Sequence, residues 1–206
     1  ETDIYELLNQ IIDLVKHTAI NKGLNIYLNI QPNTAKIAFI DPTRLKQILI
    51  NLLSNAIKFT NKGIVELKLQ YQIIDDETIS YQFSVNDTGI GITPEQRQRL
   101  FKAFSQADGS TTRKFGGTGL GLVISNLLLN KMNSELTLES EWNKGSNFCF
   151  EIKTKFLPGS SINKINSLYN NVLIFENDEL SRNYLSEHLN FWDIKHTHCN
   201  NLFELF

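Results

Sequence analysis

The stretch that decides the fold is NLLSNAIKFT, which runs from Asn51 to Thr60. It completes a segment that begins with Asp41-Pro42, a typical helix start, because the aspartate caps free backbone N–H groups and the proline fits the first turn. Apolar residues recur along this segment at steps of three and four. The pattern predicts one helix from Asp41 to about Phe59.

A polar stripe runs along the same predicted helix. It consists of Arg44, Gln47, Asn51, Asn55 and Lys58. The plain interpretation of such a stripe is a solvated face. Two asparagines one turn apart in a helix interior argue against it, because asparagine is a poor helix former. An amide oxygen is a suitable ligand for Mg²⁺, and a lysine one turn further on can meet a phosphate.

A strand predicted over 79–85 is followed by a glycine turn, Asp87-Thr-Gly89-Ile-Gly91-Ile92. Glycines let a backbone approach a flat ligand closely. A carboxylate at a strand end can accept a hydrogen bond from an exocyclic amine such as that of adenine. Turns of this kind are also common in a purely structural role.

A second glycine-rich stretch, Gly116-Gly-Thr-Gly119-Leu-Gly121-Leu122, opens a helix predicted over 119–131. Backbone N–H groups and the helix dipole at such a start favour an anion. The stretch is not a Walker A motif, and it does not follow a strand as a dinucleotide fingerprint would. Close helix packing is the alternative.

The segment between the two glycine stretches is polar and is bracketed by Phe101, Phe104 and Phe115, with Arg113 near its end. This composition suits a mobile lid over a bound ligand. A plain surface loop is the alternative. After the helix, a hairpin is predicted with strands over 134–141 and 147–156.

Taken together and in this order, the four features are far more specific than any one of them. Residues 1–157 resemble the ATP-binding domain of histidine kinases, in the superfamily of gyrases, chaperones, histidine kinases and mismatch-repair proteins. The boxes of that domain are matched by Asn51–Thr60 (asparagine box), Asp87–Ile92 (first glycine box), Phe101–Phe104 (phenylalanine box) and Gly117–Leu122 (second glycine box). Ala103 replaces the usual proline of the phenylalanine box, which could loosen the first hinge of the lid.

The resemblance implies an α/β fold, a two-layer sandwich of a mixed β-sheet on three helices called the Bergerat ATP-binding fold. It also implies ATP and Mg²⁺ as cofactors, held between the helices and the lid. Asp87 would bind the adenine amino group, in a pocket shaped by Gly89, Gly91 and Ile92.

At the phosphate end, the resemblance makes Asn55 a ligand of Mg²⁺ and makes Asn51 and Lys58 the candidate catalytic residues. Leu120 and Gly121 would offer backbone N–H groups to the phosphates. The implied cofactor-binding set in the lid and second glycine box is Phe104, Arg113, Gly117, Gly119, Leu120, Gly121 and Leu122.

Asn51 bears on the reaction. The ATP hydrolases of the superfamily carry a glutamate at this place, which activates water, whereas an asparagine amide is not a base. The resemblance therefore favours a phosphoryl donor that positions ATP for attack by a histidine imidazole. An ATPase that drives a conformational change and a non-catalytic signalling module are the two alternatives.

The acceptor is expected to lie elsewhere. Kinases of this family carry the acceptor histidine, followed by an acidic residue, on a preceding helical hairpin, and no histidine here has that context. The implied partners are that helical domain of the same protein and a receiver or phosphotransfer domain. The chain alone is expected to bind ATP but not to phosphorylate itself.

The last part of the chain, from Val172 to Arg182, resembles the start of a flavodoxin-like receiver domain, with a second strand beginning at Ile194. Receivers hold Mg²⁺ with adjacent aspartates, where this chain has Glu176 and Asn177, so Glu176 and Asp178 are the candidate ligands. Losing a carboxylate weakens such a site, which fits a degenerate regulatory segment. The alternative is a receiver that is merely incomplete.

The expected domains are a connecting helix (1–22), the ATP-binding domain (23–157), a linker (158–170) and a truncated receiver-like domain (171–206). Together they resemble a hybrid sensor histidine kinase of a two-component phosphorelay. The chain has 206 residues, of which 41% are apolar, enough for a core. Its net charge of −2 gives no basic footprint for nucleic acid. No apolar run approaches the roughly 18 residues of a membrane span.

Both ends of the chain look cut, so a longer protein is expected. The resemblance places this part at the cytoplasmic face, not inserted in the membrane, and anchors the whole protein in the inner membrane.

Overall fold

The computed structural model describes residues 1–98, 100, 120–160 and 171–199. The elements of the first 160 residues are β1 (Thr2–Asp3), α1 (Ile4–Asn21), β2 (Asn25–Ile30), β3 (Ile37–Ala38), α2 (Pro42–Phe59), β4 (Ile64–Ile73), β5 (Thr78–Asp87), α3 (Pro94–Arg97), α4 (Gly121–Lys131), β6 (Thr137–Glu141) and β7 (Gly145–Lys155). The remaining elements are β8 (Val172–Phe175), α5 (Glu179–Phe191) and β9 (His196–Cys199).

The main sheet has the strand order β2-β4-β5-β7-β6. β2 runs parallel to β4, and the other neighbours are antiparallel, so the sheet is mixed. Along β5, Tyr81, Phe83 and Val85 are fully buried, as expected when alternate side chains of a strand face the core.

Three helices, α1, α2 and α4, supply the second layer. α1 packs on α2 and β2, while α2 packs on α4, β4 and β5. α1 and α2 each bury one apolar stripe in the common core. The predicted α/β sandwich of a mixed sheet on three helices is therefore confirmed.

Helix α2 begins as its sequence predicts. The Asp41 carboxylate accepts hydrogen bonds from the N–H groups of Thr43 and Arg44, and Pro42 occupies the first turn. At the other end, Lys22 Nζ donates to the carbonyls of Ile57 and Lys58 at 2.7 Å each. The residue that follows α1 thereby caps the last turn of α2, next to the glycine turn after β5.

Two predicted strands begin later than expected, for one shared reason. β6 begins at Thr137 rather than Ser134, because the Ser134 N–H closes α4 by donating to the carbonyl of Leu129. β9 begins at His196 rather than Ile194, whose N–H closes α5 in the same way. A left-handed residue precedes each closing bond: Asn133 at φ 54° and Asp193 at φ 56°.

The C-terminal segment, defined here as residues 171–199, forms a strand, a helix and a second strand parallel to the first. This is the order with which a flavodoxin-like fold begins. Its identity as a receiver and the domain boundaries stay predictions. No helix among the described residues is both long enough and apolar enough to cross a bilayer.

Candidate nucleotide-binding site

The polar stripe of α2 lies beside the core rather than on a fully solvated face. Asn51, Asn55 and Lys58 are each half-buried. The Lys58 ammonium also lies 5.0 Å from the centre of the Phe59 ring, a cation–π distance. The stripe thus presents two amides and one cation along a single edge of the helix.

Asn51 of α2 contacts two residues of α4. Its Nδ2 donates to Oγ of Ser125 at 2.9 Å, and Ser125 is buried. Its Oδ1 lies against Gly121, where an added Cβ would come within 2.2 Å of that oxygen. The amide nitrogen is therefore held by Ser125, while the amide oxygen faces the first turn of α4.

The amino end of α4 suits an anion. Leu120 precedes the helix, and its side chain makes no capping hydrogen bond. The N–H groups of a first helical turn have no partner within the helix, and the dipole favours negative charge there. Of the predicted phosphate-binding residues Leu120, Gly121 and Leu122, Gly121 lies directly against the Asn51 amide oxygen.

Asp87 is the last residue of β5, paired with Val65 of β4 on one side and Ser146 of β7 on the other. Its carboxylate accepts a hydrogen bond from the Gly89 N–H at 2.8 Å and lies 3.5 Å from the Thr60 hydroxyl. Burial raises the pKa of this carboxyl, and hydrogen bonds from Gly89, Ser146 and Thr60 oppose the rise. The site therefore holds a half-buried acceptor at a strand end.

The two glycines after Asp87 are required by their surroundings. A Cβ on Gly89 would lie 2.6 Å from the Phe59 carbonyl oxygen and 2.7 Å from the Asp87 carboxylate. Gly91 has a φ of +65°, and a Cβ there would lie 2.0 Å from the Glu141 carbonyl oxygen. The turn therefore packs directly on the end of α2 and on the turn between β6 and β7.

Ile92 is tied to the same β6–β7 turn. Its N–H donates to Oγ of Ser140 at 2.8 Å, and that hydroxyl donates to the Gly145 carbonyl at 2.9 Å. Ile92 also packs against the core. The predicted adenine-pocket residues Asp87, Gly89, Gly91 and Ile92 thus form one connected wall.

Sequence reasoning missed four residues that support the site: Thr60, Ser125, Ser140 and Gly145. Gly145, visible only as part of a hairpin turn, has a φ of +113°, and a Cβ there would lie 1.9 Å from the Asp87 carbonyl oxygen. Thr60 closes the quoted stretch and is fully buried beside Asp87. Neither Ser125 nor Ser140 stands in a pattern that singles it out.

Several predicted residues are not part of this geometry. Phe104, Arg113, Gly117 and Gly119 lie outside the described residues. Among the residues that are described, no group of three or more His, Cys, Asp or Glu side chains could hold a metal.

In the C-terminal segment, the two candidate ligands have partners within the chain. Glu176 accepts from the Asp178 N–H at 2.9 Å, and Asp178 accepts from the Ser181 N–H at 2.8 Å. The Ser181 bond is the main cause that lowers the pKa of Asp178. The metal roles of Glu176 and Asp178 stay predictions.

Comparison with known proteins relates this chain to a family. The family described as "Histidine kinase-, DNA gyrase B-, and HSP90-like ATPase" matches residues 40–155. The chain is 40% identical over 151 residues to the signal transduction histidine-protein kinase BarA of Escherichia coli K12, which covers 73% of this chain and 16% of BarA. It is 36% identical over 207 residues to the sensor histidine kinase GacS of Pseudomonas protegens, which covers 97% of this chain and 22% of GacS.

A solved structure described as full-length ShkA in complex with AMPPNP has a similar fold. The TM-score is 0.76 at 30% sequence identity, and the match covers 98% of this chain and 41% of that one. This chain spans only 16% of BarA and 22% of GacS, so each of those relatives is several times longer.

Proposed function

We propose that this chain, which belongs to the family of histidine kinase-, DNA gyrase B- and HSP90-like ATPases, is the ATP-binding phosphoryl-donor part of a hybrid sensor histidine kinase. It presents the γ-phosphoryl group of ATP to a histidine on a helical domain of the same protein. The relatives BarA and GacS, both named histidine kinases, support the kinase assignment.

The observation that carries the proposal is that residue 51 is an asparagine and that its amide is hydrogen-bonded. The superfamily's hydrolases have a water-activating glutamate at this place, whereas here an amide nitrogen donates to Ser125. An amide whose nitrogen is a donor cannot take a proton from water. The site can therefore position ATP without activating water, which is what a phosphoryl donor to an imidazole needs.

The proposed site has an adenine end and a phosphate end. Asp87 binds the adenine amino group, and Gly89, Gly91 and Ile92 shape the adenine pocket. Phe104 and Arg113 would contribute to nucleotide binding, with the γ-phosphate as the partner of Arg113. Gly117, Gly119, Leu120, Gly121 and Leu122 would bind the phosphates, since the amino end of a helix favours an anion.

The donor set fits a hard cation at the phosphates. Asn55 offers a neutral amide oxygen one turn from Asn51, and Lys58 adds a positive charge. When bound with ATP, Mg²⁺ would supply positive charge at the phosphates. Asn55 would hold it, while Asn51 and Lys58 orient the phosphates as the catalytic residues.

The wider setting is part of the same proposal. The partners are the acceptor-histidine helical domain and a receiver or phosphotransfer domain of a two-component phosphorelay. The chain acts at the cytoplasmic face of the membrane, and the whole protein is anchored there.

Calorimetric titration tests the ATP assignment. ADP and a non-hydrolysable ATP analogue are titrated with Mg²⁺ into the chain, Asp87→Asn and the control Asp75→Asn. Micromolar binding should weaken roughly tenfold or more in Asp87→Asn, because a hydrogen bond to a charged group contributes about 1.5–3 kcal/mol. Asp75, at the tip of the β4–β5 hairpin, only accepts bonds from its own turn, so its variant should bind normally. Failure of the unsubstituted chain to bind nucleotide would overturn the assignment.

A phosphate-release assay separates the donor from the hydrolase. If the chain is a phosphoryl donor, steady-state release of phosphate from Mg·ATP should stay near background, because Asn51 cannot act as a base. Sustained turnover that Asp87→Asn abolishes would show a hydrolase and contradict the proposal.

A further inference from the structure

The face of the main sheet opposite α1, α2 and α4 carries a polar cluster. β4 buries Val65 and Leu67 toward the helices, so Glu66 between them points to the opposite face. The register pairs Glu66 with Tyr27 of β2 and with Asn86 of β5, which places all three on that face. We call Tyr27, Asn29, Glu66 and Asn86 the outer cluster.

Glu66 is the centre of this cluster. Its Oε1 accepts from Asn29 Nδ2 at 3.2 Å, and its Oε2 accepts from Asn86 Nδ2 at 3.0 Å. A third donor comes from the C-terminal segment, since the Tyr184 hydroxyl of α5 donates to Oε1 at 2.5 Å. The two amides hold the carboxylate in a fixed position for the tyrosine, as a preorganised acceptor requires.

In a second hydrogen bond, the main sheet supplies the donor and the C-terminal segment supplies the acceptor. The Tyr27 hydroxyl donates to Oδ1 of Asp178, at the start of α5, at 2.8 Å. The rings of Tyr27 and Tyr184 meet edge to face, with centroids 6.3 Å apart and planes at 80°. Each side thus supplies one tyrosine and one carboxylate, and each tyrosine binds the carboxylate of the other side.

These hydrogen bonds involve the acidic turn of the C-terminal segment, which we define as residues 176–178. One oxygen of Asp178 accepts from Tyr27, and the other accepts from the Ser181 N–H as the cap of α5. Glu176 accepts from the Asp178 N–H. A hard-cation site needs carboxylate oxygens that face the ion, and both oxygens of Asp178 have other partners here.

We propose that the outer cluster is an intramolecular docking surface for the C-terminal segment, and that the acidic turn of this segment serves docking rather than cation binding. Charge-assisted bonds between phenols and carboxylates give the contact its specificity. A tyrosine hydroxyl is protonated at neutral pH, so both Tyr27 and Tyr184 can donate. The segment is joined to the sheet by its own chain, which raises its effective concentration at the cluster and favours docking in cis.

The test measures backbone ¹⁵N relaxation of the nucleotide-free chain, so its outcome does not depend on ATP binding. In the docked state, residues 171–199 should tumble with the main sheet, with order parameters of about 0.85. In the double variant Tyr27→Phe/Tyr184→Phe, which keeps both rings, the order parameters of residues 171–199, calculated with the tumbling time of the main sheet, should fall below about 0.6. Tyr5→Phe is the matched control, because its hydroxyl bonds to Thr34 away from the cluster.

Three results would overturn the proposal. The segment of the unsubstituted chain could tumble independently, or the double variant could stay as rigid as the control. Docking that weakens on dilution would show a contact between two copies instead of one within the chain.

A Mg²⁺ titration tests the second half of the proposal. Millimolar Mg²⁺ should leave the amide resonances of Glu176 and Asp178 in place and the segment docked. Saturable shifts of these resonances, with release of the segment, would show a working cation site and contradict it.

Discussion

The two ends of the site are held by different kinds of contact. Around Asp87, the backbones of two turns pack against each other, whereas around Asn51 two side chains are joined by a hydrogen bond. At the adenine end, Gly91 and Gly145 bring their Cα atoms so near to carbonyl groups that a Cβ would fall within 2.0 Å and 1.9 Å of an oxygen. At the phosphate end, the decisive contact joins the Asn51 amide to the Ser125 hydroxyl at 2.9 Å.

The difference sets how each end responds to change. A backbone held in a sheet cannot move aside without breaking ladder bonds, so an added atom at the adenine end disrupts the whole wall. An amide can rotate, and water can replace a lost hydroxyl, so changes at the phosphate end should be graded. The four predictions below test this contrast, from the largest effect to the smallest.

Gly145→Ala should have the largest effect. The new Cβ would lie 1.9 Å from the Asp87 carbonyl oxygen, and the residue would be held at a φ of +113°. Strain and clash together should lower the free energy of unfolding by about 3 kcal/mol or more. Denaturant unfolding and calorimetric titration of ADP measure the two consequences, loss of stability and loss of binding.

Gly23→Ala is the matched control for this prediction. Gly23 also has a positive φ of +72°, but an added Cβ would meet nothing within 4 Å. It should cost only the conformational strain of about 1–2 kcal/mol, with ADP affinity unchanged. Equal losses in the two variants would show that φ, and not contact with Asp87, explains the effect.

The pH dependence of Asp87 should be the next largest effect. Burial raises its folded-state pKa above the unfolded value. Its contribution to stability is therefore complete below the unfolded pKa and is lost as pH rises through the folded pKa. Adenine binding needs the ionised acceptor, so affinity should rise over the same pH range in which stability falls.

Asp87→Asn isolates this titration. The difference between the chain and the variant should show stability and ADP affinity changing in opposite directions, from the ordinary aspartate pKa up to the raised one. Unfolding and titration series at matched pH values measure it. Difference profiles that stay flat in this window would contradict the assignment of a raised pKa to Asp87.

Ser125→Ala should have a moderate and selective effect. It removes the acceptor of the Asn51 amide, so the free energy of unfolding should fall by about 1 kcal/mol. Affinity for the Mg·ATP analogue should fall a few-fold, whereas affinity for ADP without metal should not change. The side-chain amide resonance of Asn51 should move as its hydrogen bond is lost.

Ser54→Ala is the control for this prediction, because Ser54 is exposed on α2, the helix that carries Asn51. It should leave both affinities and the Asn51 resonance unchanged. If Ser125→Ala weakened ADP and the analogue equally, Ser125 would support the fold alone and not the orientation of Asn51.

Local chemistry explains which parts of the fold the sequence predicts. The start of α2 at Asp41-Pro42 and the buried side of β5 follow from capping and from strand alternation, which neighbouring residues determine. The early starts predicted for β6 and β9 were wrong, because a left-handed closing turn at Asn133 and at Asp193 follows the preceding helix. Such a turn has only one polar residue as its signal.

The site residues likewise divide into those that a local sequence pattern predicts and those that only the tertiary structure brings together. Asp87, Gly89 and Gly91 stand together in one stretch, so their shared role is visible in the sequence. The contact of Gly145 with Asp87 depends on the register of β5 on β7, and that of Ser125 with Asn51 depends on how α4 packs on α2. No local pattern encodes either contact, because each joins residues far apart in the chain.

Lys144→Ala should have the smallest effect, although Lys144 adjoins Gly145 in the β6–β7 turn. Its ammonium pairs with Glu141 at 2.7 Å, but the two side chains are 71% and 66% exposed. Exposed pairs contribute about 0–1 kcal/mol, so unfolding and ADP affinity should scarcely change. A loss close to that of Gly145→Ala would show that the side chains of this turn support the adenine end. The expected contrast would show instead that its backbone does.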